Sequence, residues 1–171
     1  IIANASGCGT MIKDYGHLLA DDPEWAEAAG DIARLAKDVS EVLDELDFAP
    51  EEGVERPVIA YHSACSLQHG QKLHDLPMRV LAKAGYEVRD VADGHLCCGS
   101  AGVYNLLQPD LAERLLARKI ETLERTGADV VAAGNIGCIN QLERATSMPV
   151  IHPVELIDWA TGGPRPAALT D

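Results

Sequence analysis

The sequence predicts an α/β fold, a layered domain with a mainly parallel sheet and with cysteine loops at the carboxyl ends of the strands. From residue 58 onward, short apolar runs alternate with amphipathic segments of helical spacing, which is the pattern of successive βαβ units. Each of the five cysteines follows such an apolar run, in a loop that also carries glycine, serine or histidine. With 171 residues, 47% of them hydrophobic, the chain can form one domain with a core, or one domain and part of another.

The N-terminal segment opens with "IIANASGCG", which predicts the end of a strand running into a loop. Residues 22–46 predict a helix broken near Gly30, with Asp21 or Asp22 as the N-cap and Pro23 in the first turn. Apolar residues at helical spacing predict one packed face for this helix: Ile32, Leu35, Ala36, Val39, Val42, Leu43 and Leu46. Residues 48–57, "FAPEEGVERP", are rich in proline, glycine and acidic side chains and predict a linker.

The remainder of the chain predicts four strands and four helices in alternation. The strands are "PVIAYH", "YEVRDV", "ADVVAAG" and "MPVIH". The helices are "LPMRVLAKAG", "QPDLAERLLARKIETLERTG", a helix start in "NIGCINQLE", and "PVELIDWA". Gly85 and Gly127 stand where the first two of these helices are expected to end.

Composition and charge exclude several classes of function. Fourteen Lys and Arg against 27 Asp and Glu give a net charge of −13, and no basic patch is available to neutralise a nucleic acid. No apolar run approaches the roughly 18–20 residues of a membrane span, and the opening residues lack the pattern of a signal peptide. An odd number of sparse cysteines favours free thiols in a reducing, cytoplasmic setting over a disulfide framework.

The cysteines are expected to meet, because loops at the carboxyl ends of parallel strands gather at one edge of the sheet. Cys65, Cys97, Cys98 and Cys138 follow three successive predicted strands with the spacing C-x₃₁-C-C-x₃₉-C. Cys8 lies in a short internal sequence repeat, since "IIANASGCG" aligns with "VVAAGNIGCI" when Cys8 is placed on Cys138. The alignment suggests the end of one repeat followed by a complete second one.

Four interpretations of the cysteines stay open at this point. They are buried core thiols, a zinc site, a thiol catalyst at Cys97 or Cys98 beside His95, or ligands of an iron–sulfur cluster. The zinc candidates are His62, Cys65, His69, His95, Cys97 and Cys98, although the compact C-x₂-C pairs of structural zinc sites are absent. The lone histidines are assigned to the surface or to helix ends: His17, His74 and His152.

The cysteine pattern resembles the CCG cysteine-rich domain of heterodisulfide reductase subunits and related flavoenzyme partners. That motif is a cysteine, a long gap, Cys-Cys-Gly, a second long gap and Cys-x-x-Cys. Longer stretches, including "ASGCGTMIKDYGHLL", "HLCCGSAGVYNLLQPDLA" and "GNIGCINQ", resemble the iron–sulfur subunits of glycolate oxidases. The resemblance covers nearly the whole chain.

The resemblance implies a domain division and a set of metal ligands. Residues 1–47 would be the end of a first CCG module, residues 48–57 a linker, and residues 58–171 a complete second module. The motif cysteines of the second module, which would be its metal ligands, are Cys65, Cys97, Cys98 and Cys138, and Cys8 would be the late cysteine of the first module. The final Cys-x-x-Cys reads Asn135-Ile-Gly-Cys138, so a site here needs four-cysteine ligation, or Cys8 or an oxygen or nitrogen donor as a substitute.

The function implied is an iron–sulfur electron-transfer subunit of a 2-hydroxy-acid oxidoreductase, with glycolate oxidised to glyoxylate. The resemblance implies a [4Fe-4S] cluster in this chain, FAD in a partner flavoprotein, and a quinone or another acceptor. It implies a cytoplasmic protein or one at the inner face of the membrane. No catalytic residue is assigned, and no turnover is expected from this chain alone. The alternatives are a lactate-utilisation or heterodisulfide-reductase-type subunit, or a redox-inert, zinc-binding interaction module.

Overall fold

The computed structural model describes residues 1–170 of the chain. The strands are β1 Ile2–Ala3, β2 Lys37–Asp38, β3 Ile59–His62, β4 Val88–Arg89, β5 Val130–Ala133 and β6 Val150–Ile151. The helices are α1 Ser6–Leu18, α2 Ala26–Leu35, α3 Val39–Glu45, α4 Leu76–Lys83, α5 Tyr104–Leu107, α6 Pro109–Glu124, α7 Ile136–Glu143 and α8 Pro153–Ala160. A π-helical turn covers Ser66–Gly70 and a 3₁₀ turn covers Ala167–Leu169.

The predicted α/β fold class is confirmed. Four parallel strands form a sheet in the order β4-β3-β5-β6, and β1 pairs with β2 in a second, two-stranded parallel sheet. All residues of β3 and β5 are buried, as their continuous apolar runs require for strands covered on both faces. The chain runs from β3 to β4 on one side and then crosses to β5 and β6 on the other. The boundary between β3 and β5 is therefore the switch point at which such sheets form ligand sites.

The core has two layers, one on each face of the four-stranded sheet. Alternate residues of β3 point to opposite faces, so Ile59 and Tyr61 pack with α4 and α8. Ala60 packs on the other face with α6 and α7, among leucines that each contribute roughly 1.5–3 kcal/mol on burial. The layer below α6 also contains Cys98 and Cys138, so part of the cysteine set is continuous with the core.

Residues 22–46 do not form the predicted helix with a break near Gly30. The break lies at 36–38 and not at Gly30, because Lys37–Asp38 pair with β1 and Asp38 starts α3 through a capping box with Glu41. The predicted packed face is wrong at Ile32, Leu35 and Leu46, which are exposed. Leu43 packs against the core, as predicted.

The other predicted elements are present, with shorter strands than expected. The strand predicted over 86–91 is reduced to β4, and Gly85 and Gly127 adopt the positive φ angles, 85° and 61°, that favour glycine after a helix. The segment predicted as a linker, 48–57, lies against the end of α8, where the backbone N–H of Glu51 donates to the carbonyl of Ala160 over 2.8 Å. Within residues 1–170, no helix has the length and apolar character needed to cross a bilayer.

Candidate metal centre

The site lies at the carboxyl ends of the three adjacent strands β4, β3 and β5. The segment after β3 carries Cys65 into the π-helical turn, and the long loop after β4 carries Cys97 and Cys98. The turn after β5 leads directly into α7, whose third residue is Cys138. Because these strands are neighbours in the sheet, their following segments meet, and four cysteines distant in sequence lie together.

A cavity of about 370 Å³ opens between these segments and the start of α1. It is more than ten times the roughly 30 Å³ that one water occupies in the liquid, so it offers room for more than a single ion. The thiols of Cys8, Cys65, Cys97 and Cys138 line it, with small residues completing the wall: Ala5, Gly7, Ser66, Ser100, Ala101, Gly102 and Gly137. Cys98 is fully buried beneath this wall, and all five cysteines are free thiols.

Four of the thiols form a continuous row in which raised and lowered pKa values alternate. The pKa of Cys65 is raised, first by its hydrogen bond to Cys97 and then by burial. The pKa of Cys97 is held far below its usual range by hydrogen bonds from Cys65 and Cys98, aided by backbone N–H groups of the loop.

The inner half of the row repeats this alternation. The pKa of Cys98 is raised by its hydrogen bonds to Cys138 and Cys97 and by burial. The pKa of Cys138 is lowered to about 5, first by the hydrogen bond from Cys98 and then by the nearby imidazole of His62. Because the thiolate is the form that binds metals, the lowered pKa values of Cys97 and Cys138 favour the metal-binding form of these two thiols.

Gly99 explains why the double cysteine is followed by glycine. Its φ of 94° lies in the left-handed region, and a Cβ built on it would stand 2.5 Å from the carbonyl oxygen of Ala112. The backbone N–H of Gly99 donates to the sulfur of Cys97 over 3.3 Å. The glycine therefore lets the loop pass close over α6 and turn an N–H toward the first cysteine of the pair.

Two basic side chains of α6 fix the loop that precedes the cysteine pair. Lys119, 2% exposed, donates from Nζ to the backbone carbonyl of Asp93 over 3.0 Å, and Arg118 pairs with the Asp93 carboxylate. Burial lowers the pKa of Lys119, while the nearby Cys98 and Asp93 oppose that shift. Lys119 thus brings a positive charge close to the buried thiols. The sequence analysis missed it, although its place between Leu116 and Leu123 on the apolar face of α6 was a signal of burial.

The N-termini of α1 and α7 lie side by side at the cavity and are joined by hydrogen bonds. The Asn135 side chain caps α7 by accepting from the backbone N–H of Gly137 over 2.9 Å, and its Nδ2 donates to Ser6 Oγ over 3.1 Å. The backbone N–H of Ser6 also donates to the carbonyl of Gly134. Two helix N-termini with partial positive charge therefore point toward a site rich in thiolates. Asn135, where the motif has a cysteine, has both ends of its amide engaged within the protein.

The histidines divide into one at the site and others away from it. His62 is 2% exposed at the end of β3, and its ring nitrogens lie within a group, with the sulfurs of Cys98 and Cys138, whose ligand atoms are all within 4.8 Å of one another. His69 and His95, also zinc candidates by sequence, are exposed and contact each other through His69 Nε2 and the His95 carbonyl. His152 caps α8, in agreement with its assignment to a helix end.

The residues present fit an iron–sulfur group better than a compact ion site. Four thiols converge, which is the donor set such clusters take, and the small-residue wall leaves space beside them. The buried imidazole of His62, which has no hydrogen-bond partner among residues 1–170, is a further potential donor at the inner end. Cys8 also lines the cavity, but it is exposed, at the start of α1.

Comparison with known proteins agrees with this geometry. Residues 59–143 match the family model of the CCG cysteine-rich domain. The chain is 40% identical over 162 residues to the glycolate oxidase iron-sulfur subunit of Escherichia coli (strain K12), which covers 94% of this chain and 39% of the relative. It is 36% identical to the probable glycolate oxidase iron-sulfur subunit of Bacillus subtilis (strain 168), over 84% of this chain and 33% of the relative. Lactate utilization protein A of the same organism is 24% identical over 92% of this chain and 69% of its own length. The chain therefore spans only 33–39% of the length of the two glycolate oxidase relatives.

Proposed function

Because the chain belongs, over residues 59–143, to the CCG family of cysteine-rich domains, we propose that its cysteine cavity holds an iron–sulfur cluster that transfers electrons within a 2-hydroxy-acid oxidoreductase. The substrate of the whole enzyme is glycolate, which loses a hydride and a proton to give glyoxylate. The observation that carries the proposal is the convergence of Cys65, Cys97, Cys98 and Cys138 at one cavity at the switch point of the sheet.

The chain's own residues prepare the site for such a group. The lowered pKa values of Cys97 and Cys138 favour the thiolate form that binds metals, whereas Cys65 and Cys98 would have to release their protons to become ligands. Lys119 and the N-termini of α1 and α7 offset the negative charge that collects there. Bound at this site, a [4Fe-4S] cluster would supply one-electron transfer between the donor and acceptor of the complex.

The partner in this proposal is a flavoprotein subunit whose FAD takes the hydride from the hydroxy acid. The surface around the cavity suits a protein partner, because exposed apolar side chains follow the double-cysteine loop at Val103, Leu106 and Leu107. Ile136, which lines the cavity, is also exposed. A partner that covered this rim would bring its own cofactor close to the cysteines and exclude water from the path. The electrons then pass to a quinone or another acceptor.

We extend the proposal to the organisation of the chain. Residues 58–171 form the complete CCG module, and residues 1–47 the end of a preceding one, with 48–57 between them. The support is structural as well as sequential, since β1 and α1 repeat the strand-to-helix turn of β5 and α7 with a cysteine at the same helix position. Free thiols throughout fit the reducing cytoplasm, or the inner face of its membrane, as the location.

Iron and acid-labile sulfide content of the anaerobically reconstituted chain, with electron paramagnetic resonance of the reduced protein, tests the proposal. We expect several iron and sulfide atoms per chain and a paramagnetic signal, both lost in Cys97→Ser/Cys98→Ser. Circular dichroism of that variant checks that its fold is kept. Stoichiometric zinc without iron would contradict the proposal and favour the interaction module.

A second candidate substrate is lactate, favoured by the similarity to lactate utilization protein A over 92% of this chain. Glycolate and lactate present the same 2-hydroxy carboxylate to a flavin, so the cysteine site serves either. Reduction of the reconstituted flavoprotein complex by each acid in turn distinguishes them. Faster reduction by lactate would replace glycolate as the substrate and leave the cluster site unchanged.

A further inference from the structure

His62 is a buried histidine for which the fold supplies no hydrogen-bonding partner. It ends β3, where its register partner on β5 is Ala133. Both ring nitrogens, Nδ1 and Nε2, are buried and neither has a hydrogen-bond partner within residues 1–170. A neutral imidazole carries one N–H donor and one lone pair, and leaving a buried polar atom unpaired costs about 1–3 kcal/mol. A side chain at this cost suggests a partner that the protein alone does not contain.

The neighbours of the imidazole are two thiols of the candidate metal centre. The ligand atoms of His62, Cys98 and Cys138 all lie within 4.8 Å of one another. Metal–nitrogen bonds of about 2.0–2.1 Å and metal–sulfur bonds of about 2.3 Å place tetrahedral ligands roughly 3.6–3.8 Å apart. The three atoms are therefore close to the spacing needed to bind one metal atom, and a small contraction completes it.

The other donors that could replace the missing motif thiolate are less suitable. The amide of Asn135 is already engaged at both ends, with Gly137 and Ser6. Cys8 is exposed, at the start of α1, and does not belong to the group of closely spaced ligand atoms formed by His62, Cys98 and Cys138. His62 is buried, unpaired and beside two sulfurs, and imidazole nitrogen is a good ligand for iron as well as for zinc.

We propose that His62 is a metal ligand, with one ring nitrogen bound to the same metal atom as Cys98 and Cys138. This inference rests on the proposed function and deepens it, because it assigns the inner iron of the site a mixed nitrogen and sulfur donor set. A neutral imidazole in place of a thiolate removes one negative charge from the cluster environment. Histidine ligation therefore raises the reduction potential above that of an all-cysteine site.

The test is pulsed electron paramagnetic resonance of the full chain, reconstituted with iron and sulfide after labelling of its histidines with ¹⁵N. We expect a strong ¹⁵N hyperfine coupling in the reduced wild-type protein, which needs no mutation to be observed. His62→Ala should lose that coupling. His62→Cys should keep iron, lose the coupling and show a lower reduction potential, because a thiolate returns to the site.

His69→Ala is the matched control, since His69 is exposed and lies only seven residues away along the chain. Its variant should keep both the coupling and the potential of the wild type. A wild-type protein that holds iron but shows no strong ¹⁵N coupling overturns the ligand role of His62 and leaves the proposed function intact.

A chain that takes up zinc in place of iron overturns the proposed function, and the ligand role of His62 is then decided separately. Zinc bound by His62 would shift the ¹⁵N resonances of its ring, observed by nuclear magnetic resonance of the same labelled protein. Unchanged resonances on zinc addition overturn the inference. A chain that takes up neither metal overturns both proposals.

Discussion

Two strand-to-helix turns of this chain carry a cysteine at the same position but give it different surroundings. Cys8 is the third residue of α1, after β1, and Cys138 is the third residue of α7, after β5. Cys138 is buried and its pKa is lowered to about 5, whereas Cys8 is exposed. The local turn is therefore not what prepares a thiol for metal binding.

The difference comes from what stands beside each strand. β5 lies inside the four-stranded sheet, so the segments after β3 and β4 bring His62 and Cys98 to Cys138. β1 pairs with β2 in a sheet of two strands. Cys8 reaches the same cavity only because α1 lies beside α7. Nonlocal strand pairing, and not the sequence of the turn, therefore makes one of two equivalent cysteines a buried thiol beside His62 and Cys98.

The largest expected difference between the two turns is in metal content when Cys138 or Cys8 is replaced by serine. Cys138→Ser removes a buried thiolate from the row of four sulfurs, and we expect nearly complete loss of iron and sulfide after reconstitution. Cys8→Ser changes the equivalent exposed residue and should retain most of the metal. Equal losses in the two variants would contradict the comparison and would make Cys8 the substitute for the missing motif cysteine.

The next largest effect should be on how the unfolding free energy of the metal-free protein depends on pH, where Cys138 and Cys8 should differ. The folded pKa of Cys138, about 5, lies below the roughly 8.5 of a free thiol. Its thiolate therefore contributes stability that is full above about pH 8.5 and is lost as the pH falls through about 5. Cys65 and Cys98, with raised pKa values, stay protonated in the folded and unfolded chain well below about pH 8.5 and add no slope there. Cys97, whose pKa is also lowered, adds a rise in stability with pH that remains in Cys138→Ser.

Denaturant unfolding between pH 4 and 8, with ultraviolet thiolate absorbance as a second probe, measures this difference. Cys138→Ser should reduce the rise in unfolding free energy with pH and remove an absorbance step near pH 5. Cys8→Ser should leave both curves close to those of the wild type. A wild-type absorbance step that survives in Cys138→Ser would assign the lowered pKa to another thiol.

Asn135 is one of the positions at which the two turns differ in sequence, and its side chain joins them in space. Asn135→Ala removes the cap of α7 and the bond to Ser6, and we expect a loss of about 1 kcal/mol, within 0.5–2, in unfolding free energy. Asn135→Asp keeps the capping oxygen and loses only the donor to Ser6, so its loss should be smaller. Asn140→Ala, at an exposed position within α7, is the control and should not destabilise the protein.

The sheet and the meeting of the cysteines were predictable because each depends on local pattern. The apolar runs of β3 and β5 are continuous, and parallel strands bring their following segments to one edge. The position of the break in 22–46 was not predictable. Lys37–Asp38 form a strand only because they pair with Ile2–Ala3 of β1, thirty-five residues earlier in the chain. Apolar periodicity continues through residues 36–38, so it predicted helix where the chain forms β2.

The cysteines that meet at the site were predictable from the sequence, but their arrangement was not. The spacing of the cysteines indicated thiolate ligation, yet the order Cys65, Cys97, Cys98, Cys138 along a row of sulfurs depends on side-chain directions that the sequence does not encode locally. His62 was one of six zinc candidates by composition. Only the packing of β3 against β5 separates it from the exposed His69 and His95.

The smallest expected effect, on the unfolding free energy, tests whether an asparagine N-cap works in the turn before α1 as it does before α7. Ala5 is the N-cap of α1, with an extended backbone at φ −116° and ψ 111° and no capping side chain, whereas Asn135 caps α7 from a similar extended backbone. Ala5→Asn should let its side chain accept from the backbone N–H of Gly7, as Asn135 accepts from Gly137. We expect a gain of about 0.5–1 kcal/mol in the free energy of unfolding, measured in urea.

Ala28→Asn, the same change at an exposed position inside α2, should instead lower the free energy of unfolding by a few tenths of a kcal/mol. A gain at position 5 without a change in metal content would mean that the turns share backbone geometry, and that the neighbours of β5 alone account for its thiol chemistry. A loss at position 5 would mean that the backbone equivalence ends at the cap.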